Sequence, residues 1–237
     1  MGTKKIALAL AAVGVLVSGA AQAALFDRGG GLLYDDVLNV TWLQDANYAK
    51  TSGYDADGKM NWSAANTWAE NLEYGGYADW RLAANTPTGV NWNFNYSVAG
   101  TTDVGFNITS PHSEMSYMYY VNLGLKGYFS PQGIFQPDNG VKRDGTLGQA
   151  DVGLVHNLQS DIYWSGTDMV IPFSWQFSPG MGYQGFAMNP RETEMFAWAV
   201  RSGDVAAVPE PESYGMLLAG LGLIGVAARR RRHLGAL

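Results

Sequence analysis

Few side chains in this sequence could do covalent chemistry. The chain has no cysteine, which excludes thiol nucleophiles, iron–sulfur clusters and thiolate zinc sites. His112 and His156 are the only histidines away from the two ends, and neither stands beside a nucleophile motif. No carboxylate pair is set apart as a glycosidase acid and base. The sequence therefore predicts no catalytic residue and no enzyme, and a polysaccharide hydrolase is the least favoured alternative.

Two acidic segments could instead bind a hard cation. Asp55 and Asp57 stand in the loop GYDADG, and Asp138 and Asp144 form a similar pair further on. Calcium takes several carboxylate and carbonyl oxygens from flexible loops, so it is the one cofactor that the sequence leaves open. A complete calcium loop beginning at Asp55 would need a glutamate where the chain has Asn66. Solvated turns are therefore the simpler interpretation of both segments.

Aromatic rings offer a third kind of chemistry, which is stacking on sugars. The chain has eight Trp and thirteen Tyr among few charges. Such rings either fill a core or line a binding surface, and the core is the more economical interpretation for most of them. Four rings in Gly-rich, irregular stretches are the predicted ligand-binding residues: Trp92, Phe94, Tyr96 and Tyr128.

The N-terminus reads as a secretory signal peptide, residues 1–23. Lys4 and Lys5 precede an uncharged apolar run at 6–17, and Ala23 ends a small-residue cleavage site. The apolar run would span only about 18 Å as a helix, too short for a membrane anchor. The remaining exported part, residues 24–208, has the size of one domain.

The exported part is acidic, with nine Lys and Arg against nineteen Asp and Glu. A surface of this sign repels phosphate backbones, so the sequence predicts no nucleic-acid partner. Without cysteines the fold depends on packing or on bound ions instead of disulfides.

The C-terminus, residues 209–237, carries a second targeting signal. Pro209, Glu210 and Pro211 come before an apolar run at 214–228, and four cations follow: Arg229, Arg230, Arg231 and Arg232. The apolar run is predicted to form a single transmembrane helix, and the arginines to stop it with the domain outside. These three parts in this order resemble the PEP-CTERM sorting signal, which implies an exosortase as the processing partner. A permanent single-pass anchor is the alternative.

The elements that must position these residues are predicted as a single α+β domain with two helices and short antiparallel strands. Helical periodicity predicts helices at 62–72 and 113–123, and a turn at Asp35 and Asp36 divides residues 32–43 into two strands. The remaining strands are predicted at 161–166, 174–177, 185–188 and 196–201. The stretch 83–110 shows no periodicity, and a loop of that length is typically functional or disordered.

Four segments together resemble the DUF1566 domain, also called the Lcl C-terminal domain. They are LLYDDVLNVTWLQDANYA, MNWSAANTWAENLEYGGYADWRLA, IYWSGT and AWAVRSGDV, and they span residues 32–205. Members usually have proline where this chain has Ala83. The resemblance implies a C-type lectin-like fold, in which the first and last strands pair and a long irregular region binds ligands. The bacterial collagen-like adhesin after which the domain is named is associated with sulfated polysaccharides, and those would need a basic surface, which this acidic domain lacks.

The resemblance also marks a set of residues expected to be structural: Trp80, Arg81, Trp164, Trp198 and Arg201. We expect the three tryptophans in the core, and Arg81 paired with a carboxylate that suits its planar guanidinium.

These observations predict a protein that is exported through the inner membrane, held there transiently by its C-terminus, and then placed at the cell surface or in the extracellular matrix. The predicted function is binding of carbohydrate such as an exopolysaccharide. A structural or protein-interaction component of the envelope or biofilm is the alternative.

Overall fold

The computed structural model describes residues 25–143, 145–169, 172–188 and 190–205. The helices in these ranges are α1 (Tyr48–Thr51), α2 (Trp62–Glu70) and α3 (Glu114–Tyr117), and α3 continues into a π-helical turn at Met118–Asn122. The strands in these ranges are β1 (Leu25–Gly29), β2 (Leu32–Asp35), β3 (Val40–Leu43), β4 (Lys59–Met60), β5 (Arg81–Leu82), β6 (Tyr96–Ser97), β7 (Val104–Gly105), β8 (Lys142–Arg143), β9 (Thr146–Leu147), β10 (Ala150–Val152), β11 (Val155–Leu158), β12 (Tyr163–Trp164), β13 (Phe173–Ser178), β14 (Tyr183–Met188), β15 (Met195–Phe196) and β16 (Ala199–Ser202).

Two larger sheets organise the described part of the chain. One has the strand order β1-β2-β3-β16-β5, and the other has the order β4-β15-β12-β13-β14-β7-β6. Strands β15 and β16 are separated by only Ala197 and Trp198, so the chain passes directly from one sheet to the other there. The hairpins β8-β9 and β10-β11 stand apart from both sheets.

The N-terminal hairpin and the last strand lie side by side. Strand β3 pairs antiparallel with β16, with Trp42 opposite Val200. The family resemblance implies that the first and last strands pair, but here the last strand, β16, pairs with β3, whereas the first strand, β1, pairs with β2. The pairing of β3 with β16 joins the two ends of the fold, since it forms backbone hydrogen bonds between strands more than 150 residues apart in the sequence.

Helix α2 forms where the sequence predicts it. The Asn61 side chain caps it by accepting a hydrogen bond from the Ala64 N–H at 2.9 Å. Its buried face consists of Ala65, Trp68 and Ala69, which are spaced as helical periodicity requires. The helix ends at Glu70, two residues before the predicted end.

A single hydrophobic core lies between the helices and the sheets. Its largest fully buried side chains include Trp42, Trp164 and Tyr163. Six of the eight tryptophans are buried, which agrees with the core interpretation of most rings. They are Trp42, Trp68, Trp80, Trp164, Trp175 and Trp198.

The prediction of antiparallel strands is wrong for one pair of predicted strands, and a second parallel pair lies in the stretch 83–110, where no strand was predicted. Strand β12 pairs parallel with β15, and β6 pairs parallel with β7. The predicted strand 196–201 is also two strands in different sheets, because the chain leaves the ladder at Ala197 and Trp198. Strand length and residue type carry no information on the direction of a partner that is distant in sequence, so these features were not visible in the sequence.

Several predictions fall outside the described ranges. They are the signal peptide, Asp144, the PEP residues, the apolar run at 214–228 and the four arginines that follow it. Across the ranges that the structure describes, no helix has the length and apolar character needed to cross a membrane.

Candidate functional site

Two of the four predicted ligand-binding rings meet at the surface. Trp92 and Phe94 lie nearly parallel with their centroids 6.2 Å apart. Both pack on Trp175 of β13, with centroid distances of 4.8 Å from Trp92 and 6.1 Å from Phe94. Phe186 of β14 meets Phe94 edge-on at 6.3 Å. A cluster of stacked and edge-on rings therefore forms where the irregular segment 83–110 crosses the second sheet.

Strand register explains why these rings share one face. Trp175 and Phe186 are direct cross-strand partners, and Phe173 lies two residues before Trp175 on the same strand. Cross-strand partners and alternate residues of a strand point to the same side of a sheet. We call Trp92, Phe94, Phe173, Trp175 and Phe186 the ring platform.

The ring platform is partly covered and partly open. Trp175 is 0% exposed, yet it does not belong to the main hydrophobic core of the described residues. It is the floor on which Trp92 rests, while Phe94 is 47% and Phe186 37% exposed. Met188, the cross-strand partner of Phe173, is 61% exposed beside them. The outer ring faces therefore leave apolar area available to a ligand.

A buried carboxylate fixes the segment that carries Trp92 and Phe94. Asp103 is 1% exposed, and its two oxygens accept hydrogen bonds from the N–H groups of Thr88 at 2.8 Å and Asn93 at 2.7 Å. The backbone carbonyl of Asp103 accepts a hydrogen bond from the Gln184 amide on β14 at 3.0 Å. The segment is thus held by bonds on both sides of Trp92. It would therefore lose less conformational entropy if a ligand bound to its rings.

Amide groups alternate with the rings. Asn91, Asn93 and Asn95 separate and flank Trp92 and Phe94, and all three are exposed. An amide side chain both donates and accepts hydrogen bonds. Flat apolar rings beside such amides offer both an apolar stacking area and hydrogen-bonding groups.

Tyr96 and Tyr128 belong to a different group of rings. Tyr96 packs edge-on against Phe106, and Phe106 contacts Phe129, which in turn contacts Tyr128. Phe106 also packs against Tyr183 of β14 at 5.3 Å. Tyr183 is three residues before Phe186, so it points to the opposite face of the sheet. The four predicted rings therefore do not form one surface, because the sheet separates them.

The structure also shows a groove that the sequence gave no reason to expect. It lies between α1 and α2, has a volume of ≈ 360 Å³, and is lined by aromatic Tyr48, Tyr54 and Trp68 and by polar Asn71 and Glu73 among others. The Tyr54 side chain is 60% exposed at its edge. It is the second place where a ring and polar groups adjoin an open space.

The acids suggested as calcium ligands are engaged by the chain itself. One oxygen of Asp55 accepts hydrogen bonds from the N–H groups of Asp57 at 3.0 Å and Gly58 at 2.8 Å. Burial alone would raise the pKa of Asp55, but these bonds outweigh it and the pKa lies below its ordinary value. Asp57 in turn accepts a bond from the Lys59 N–H at 3.0 Å.

Asp138 pairs with Lys126, and this ammonium holds the pKa of the carboxyl below its ordinary value. Among the residues described, no three side chains of the metal-binding types gather closely enough to hold an ion. The geometry at Asp55 and Asp57 is that of a turn closed by its own carboxylates.

The residues expected to be structural make contacts within the fold. Trp164 and Trp198 are buried, and their ring N–H groups donate to the carbonyls of Met60 at 2.8 Å and Leu43 at 2.7 Å. Trp80 is 2% exposed, and its ring N–H donates to the Tyr77 carbonyl at 3.1 Å.

Both arginines of this set form two-pronged ion pairs. Arg81 donates two hydrogen bonds of 2.7 Å to Glu114, which joins β5 to α3. Arg201 binds Asp79 at 2.7 and 2.9 Å and lies 4.0 Å from the centre of the Tyr77 ring. The Arg201 guanidinium lowers the pKa of Asp79 below its usual range.

Comparison with known proteins identifies the C-terminal sorting signal. Residues 207–232 match the PEP-CTERM protein-sorting motif. The match includes Pro209, Glu210 and Pro211 and the four arginines, so the predicted resemblance to this sorting signal is confirmed. No curated protein and no solved structure matches the chain, and no DUF1566 or lectin-like family matches it either.

The sorting motif indicates to which part of the cell the protein is delivered. Segments of this kind are processed in the membrane by an exosortase. The protein is therefore exported and sorted to the cell envelope.

Proposed function

We propose that the exported domain is a non-enzymatic binding module of the cell surface or extracellular matrix, and that its ring platform binds carbohydrate such as an exopolysaccharide. The observation that carries this proposal is the pair Trp92 and Phe94, stacked on a buried floor and open on the outer side. We also propose that the fold is of the DUF1566, C-type lectin-like kind. The pairing of β3 with β16 and the ligand-facing position of an irregular segment support that assignment.

The absence of an acid–base arrangement at the described residues supports a binding role. Thr86 Oγ1 lies 2.8 Å from His112 Nδ1, a hydroxyl–imidazole pair that could resemble part of a catalytic triad. The pair is exposed, however, and among the described residues no group of three histidine and acidic side chains gathers around the imidazole. His156 lies exposed on β11 in another part of the domain.

Carbohydrate binding can be measured with exopolysaccharide extracted from the producing strain and with a glycan array, using the full chain in detergent. Phe94→Ala should weaken binding about 5- to 10-fold, because one exposed stacking ring contributes about 1 kcal/mol. Tyr54→Ala is the matched control, since it removes a similarly exposed ring from the groove between α1 and α2. Loss of binding in Tyr54→Ala alone would move the site to that groove, and no binding to any glycan would refute the proposal.

A protein-interaction role is the second candidate, and the exposed methionine favours it. Met188 adjoins the ring platform, and exposed methionine with aromatic rings is typical of protein interfaces. Pull-down from a matrix extract in the presence of excess glycan separates the two roles. A protein partner should remain bound under that competition, whereas a partner bound through its glycan should be released.

Calcium stays a prediction that the same binding measurement tests. If Asp55 and Asp57 or Asp138 held calcium that shapes the site, chelation would reduce glycan binding. The hydrogen bonds that these carboxylates already accept predict no effect of chelation.

A further inference from the structure

The fold ends very close to the sorting motif. Val205 is only 5% exposed and lies in the hydrophobic core, whereas the match to the sorting motif begins at residue 207 and the PEP residues begin at 209. Four residue steps separate Val205 from Pro209, and a chain spans at most about 3.5 Å per residue. Whatever path these residues take, the PEP segment begins within about 14 Å of the core.

The end of the fold is firmly held. Asp204 forms a two-pronged ion pair with Arg28 of β1 at 2.8 and 2.6 Å. The Gly203 N–H donates to the Asn39 carbonyl at 2.7 Å, and the Gly203 carbonyl accepts from the Thr41 hydroxyl at 2.7 Å. Chain ends usually fray, so these bonds keep the distance to the motif short instead of letting the last strand peel away.

Both ends of the described fold leave from one end of the five-stranded sheet. Leu25 pairs with Asp35, Asp35 with Val40, and Val40 with Ser202, so the four residues form one row across the strands. Three strand spacings of about 4.8 Å place Leu25 about 14 Å from Ser202. We call this surface the tail-end face; it comprises Leu25, the turn 36–38, Asn39, Gly203 and Asp204.

A domain of about 180 residues is about 40 Å across, several times the reach of the connection to the PEP segment. An enzyme that engages this segment at the membrane must therefore approach the tail-end face closely. The face has Val37, which is 49% exposed, at the tip of its turn. Leu25 and Leu38 of the same face are half-buried, and an exposed apolar residue beside them and among polar groups fits a protein partner.

We propose that the tail-end face docks on the extracytoplasmic surface of the exosortase, so that the enzyme recognises the folded domain together with the tail. The surface of an anionic bilayer is a poorer partner, because Asp36 in the turn and Asp27 on β1, two residues along the strand from Leu25, carry negative charge. This proposal does not depend on carbohydrate binding.

The experiment measures how fast the full chain is processed in cells of the producing strain, from the ratio of unprocessed to processed protein after a pulse. Insertion of twelve Gly and Ser residues after Val205 should slow processing at least threefold. The exosortase could then bind the tail without contacting the tail-end face. The same insertion at Gly145, an exposed turn between β8 and β9, is the control. Residues 206–237 fused to an unrelated exported protein should also be processed slowly.

A surface variant tests the face without changing the tail. Val37→Glu should slow processing at least threefold, whereas Ile134→Glu, an equally apolar residue that is 66% exposed on another segment, should not. A photo-crosslinking residue at position 37 should form an adduct with the exosortase. Adducts with lipid alone, or normal processing of the Gly–Ser insertion, the fusion and Val37→Glu together, would overturn the proposal.

Discussion

Two groups of aromatic rings in this molecule have opposite surroundings. In the core, Trp42 and Trp198 pack at 4.6 Å and are at most 3% exposed. At the ring platform, Trp92 packs on Trp175 at 4.8 Å and Phe94 packs on it at 6.1 Å, yet Phe94 is 47% exposed. The difference lies in the outer faces, which contact protein in the core and solvent at the platform. Aromatic content alone therefore does not indicate a site, and a ring with one covered and one open face is the better candidate.

The two groups are also fixed in different ways. The ring N–H groups of Trp164 and Trp198 donate to backbone carbonyls more than 100 residues away in the sequence. The platform instead depends on Asp103, which binds the backbone on both sides of Trp92. Changes in the core should therefore affect stability first, and changes at the platform should affect binding first.

The largest expected effect is on stability. Trp164→Ala removes a fully buried ring, and we expect the free energy of unfolding to fall by about 3–5 kcal/mol because of the lost contacts and the cavity. Urea unfolding of the exported protein, followed by tryptophan fluorescence, measures the change. Phe94→Ala is the control and should lower stability by at most about 1 kcal/mol. Equal losses in the two variants would contradict the contrast between core and platform.

A second prediction concerns the support beneath the platform. Asp103→Ala leaves the N–H groups of Thr88 and Asn93 without their acceptor, so we expect a loss of about 1–3 kcal/mol in unfolding free energy. Binding to the extracted exopolysaccharide should fall at least as much as in Phe94→Ala, although every ring is still present. The exposed carboxylate variant Asp168→Ala should change neither quantity. Retained binding in Asp103→Ala would show that the platform does not depend on this carboxylate.

A third, smaller effect separates hydrogen bonding from packing within the core. Trp198→Phe removes the bond to the Leu43 carbonyl, whereas the Trp42 ring N–H has no partner in the described part of the chain. We expect Trp198→Phe to lower the unfolding free energy by about 1 kcal/mol more than Trp42→Phe, since a buried carbonyl then loses its donor. The same urea unfolding curves provide the comparison, and an equal or reversed order would assign the difference to packing.

Local patterns in the sequence were enough to predict much of the fold. Helix α2 with the buried stripe of Trp68 and its neighbours, and the strands around Asp35, follow from rules that act over a few residues. The break of the strand at Trp198 and the parallel pair β6 and β7 depend on partners far away in the sequence, and no local pattern encodes them.

The candidate site shows the same limit. Trp92 and Phe94 could be singled out because an irregular, Gly- and Asn-rich stretch surrounds them. Trp175 and Phe186 could not, because they resemble ordinary strand residues until the strand register and the ring contacts show Trp175 stacked under Phe94 and Phe186 edge-on beside it. The sequence also did not indicate that Asp103 is buried beneath the site, since a single acidic residue in a loop usually faces solvent. The alternation of Asn with Trp92 and Phe94 was visible in the sequence. It could have limited the predicted ligand-binding rings to these two.

The smallest expected effect extends the contrast between buried and exposed groups to carboxylates. Burial raises the pKa of Asp35, although the N–H groups of Leu38 and Val37 and the Asn122 amide partly oppose it. Arg201 instead lowers the pKa of the exposed Asp79. A raised pKa means that the folded state binds the proton more tightly, so the contribution of Asp35 to stability is lost as pH rises from the ordinary value, about 4, through the raised one. A lowered pKa means that the contribution of Asp79 is present above the ordinary value and is lost as pH falls through the lowered one.

Unfolding free energies of Asp35→Asn and Asp79→Asn between about pH 3 and 7 should therefore change in opposite directions relative to the unsubstituted protein. Asp35→Asn should gain relative stability as pH rises, because the variant no longer buries a charge. Asp79→Asn should be less stable at neutral pH, and the difference should vanish as pH falls. Parallel slopes in the two variants would show that burial does not control the ionisation of Asp35.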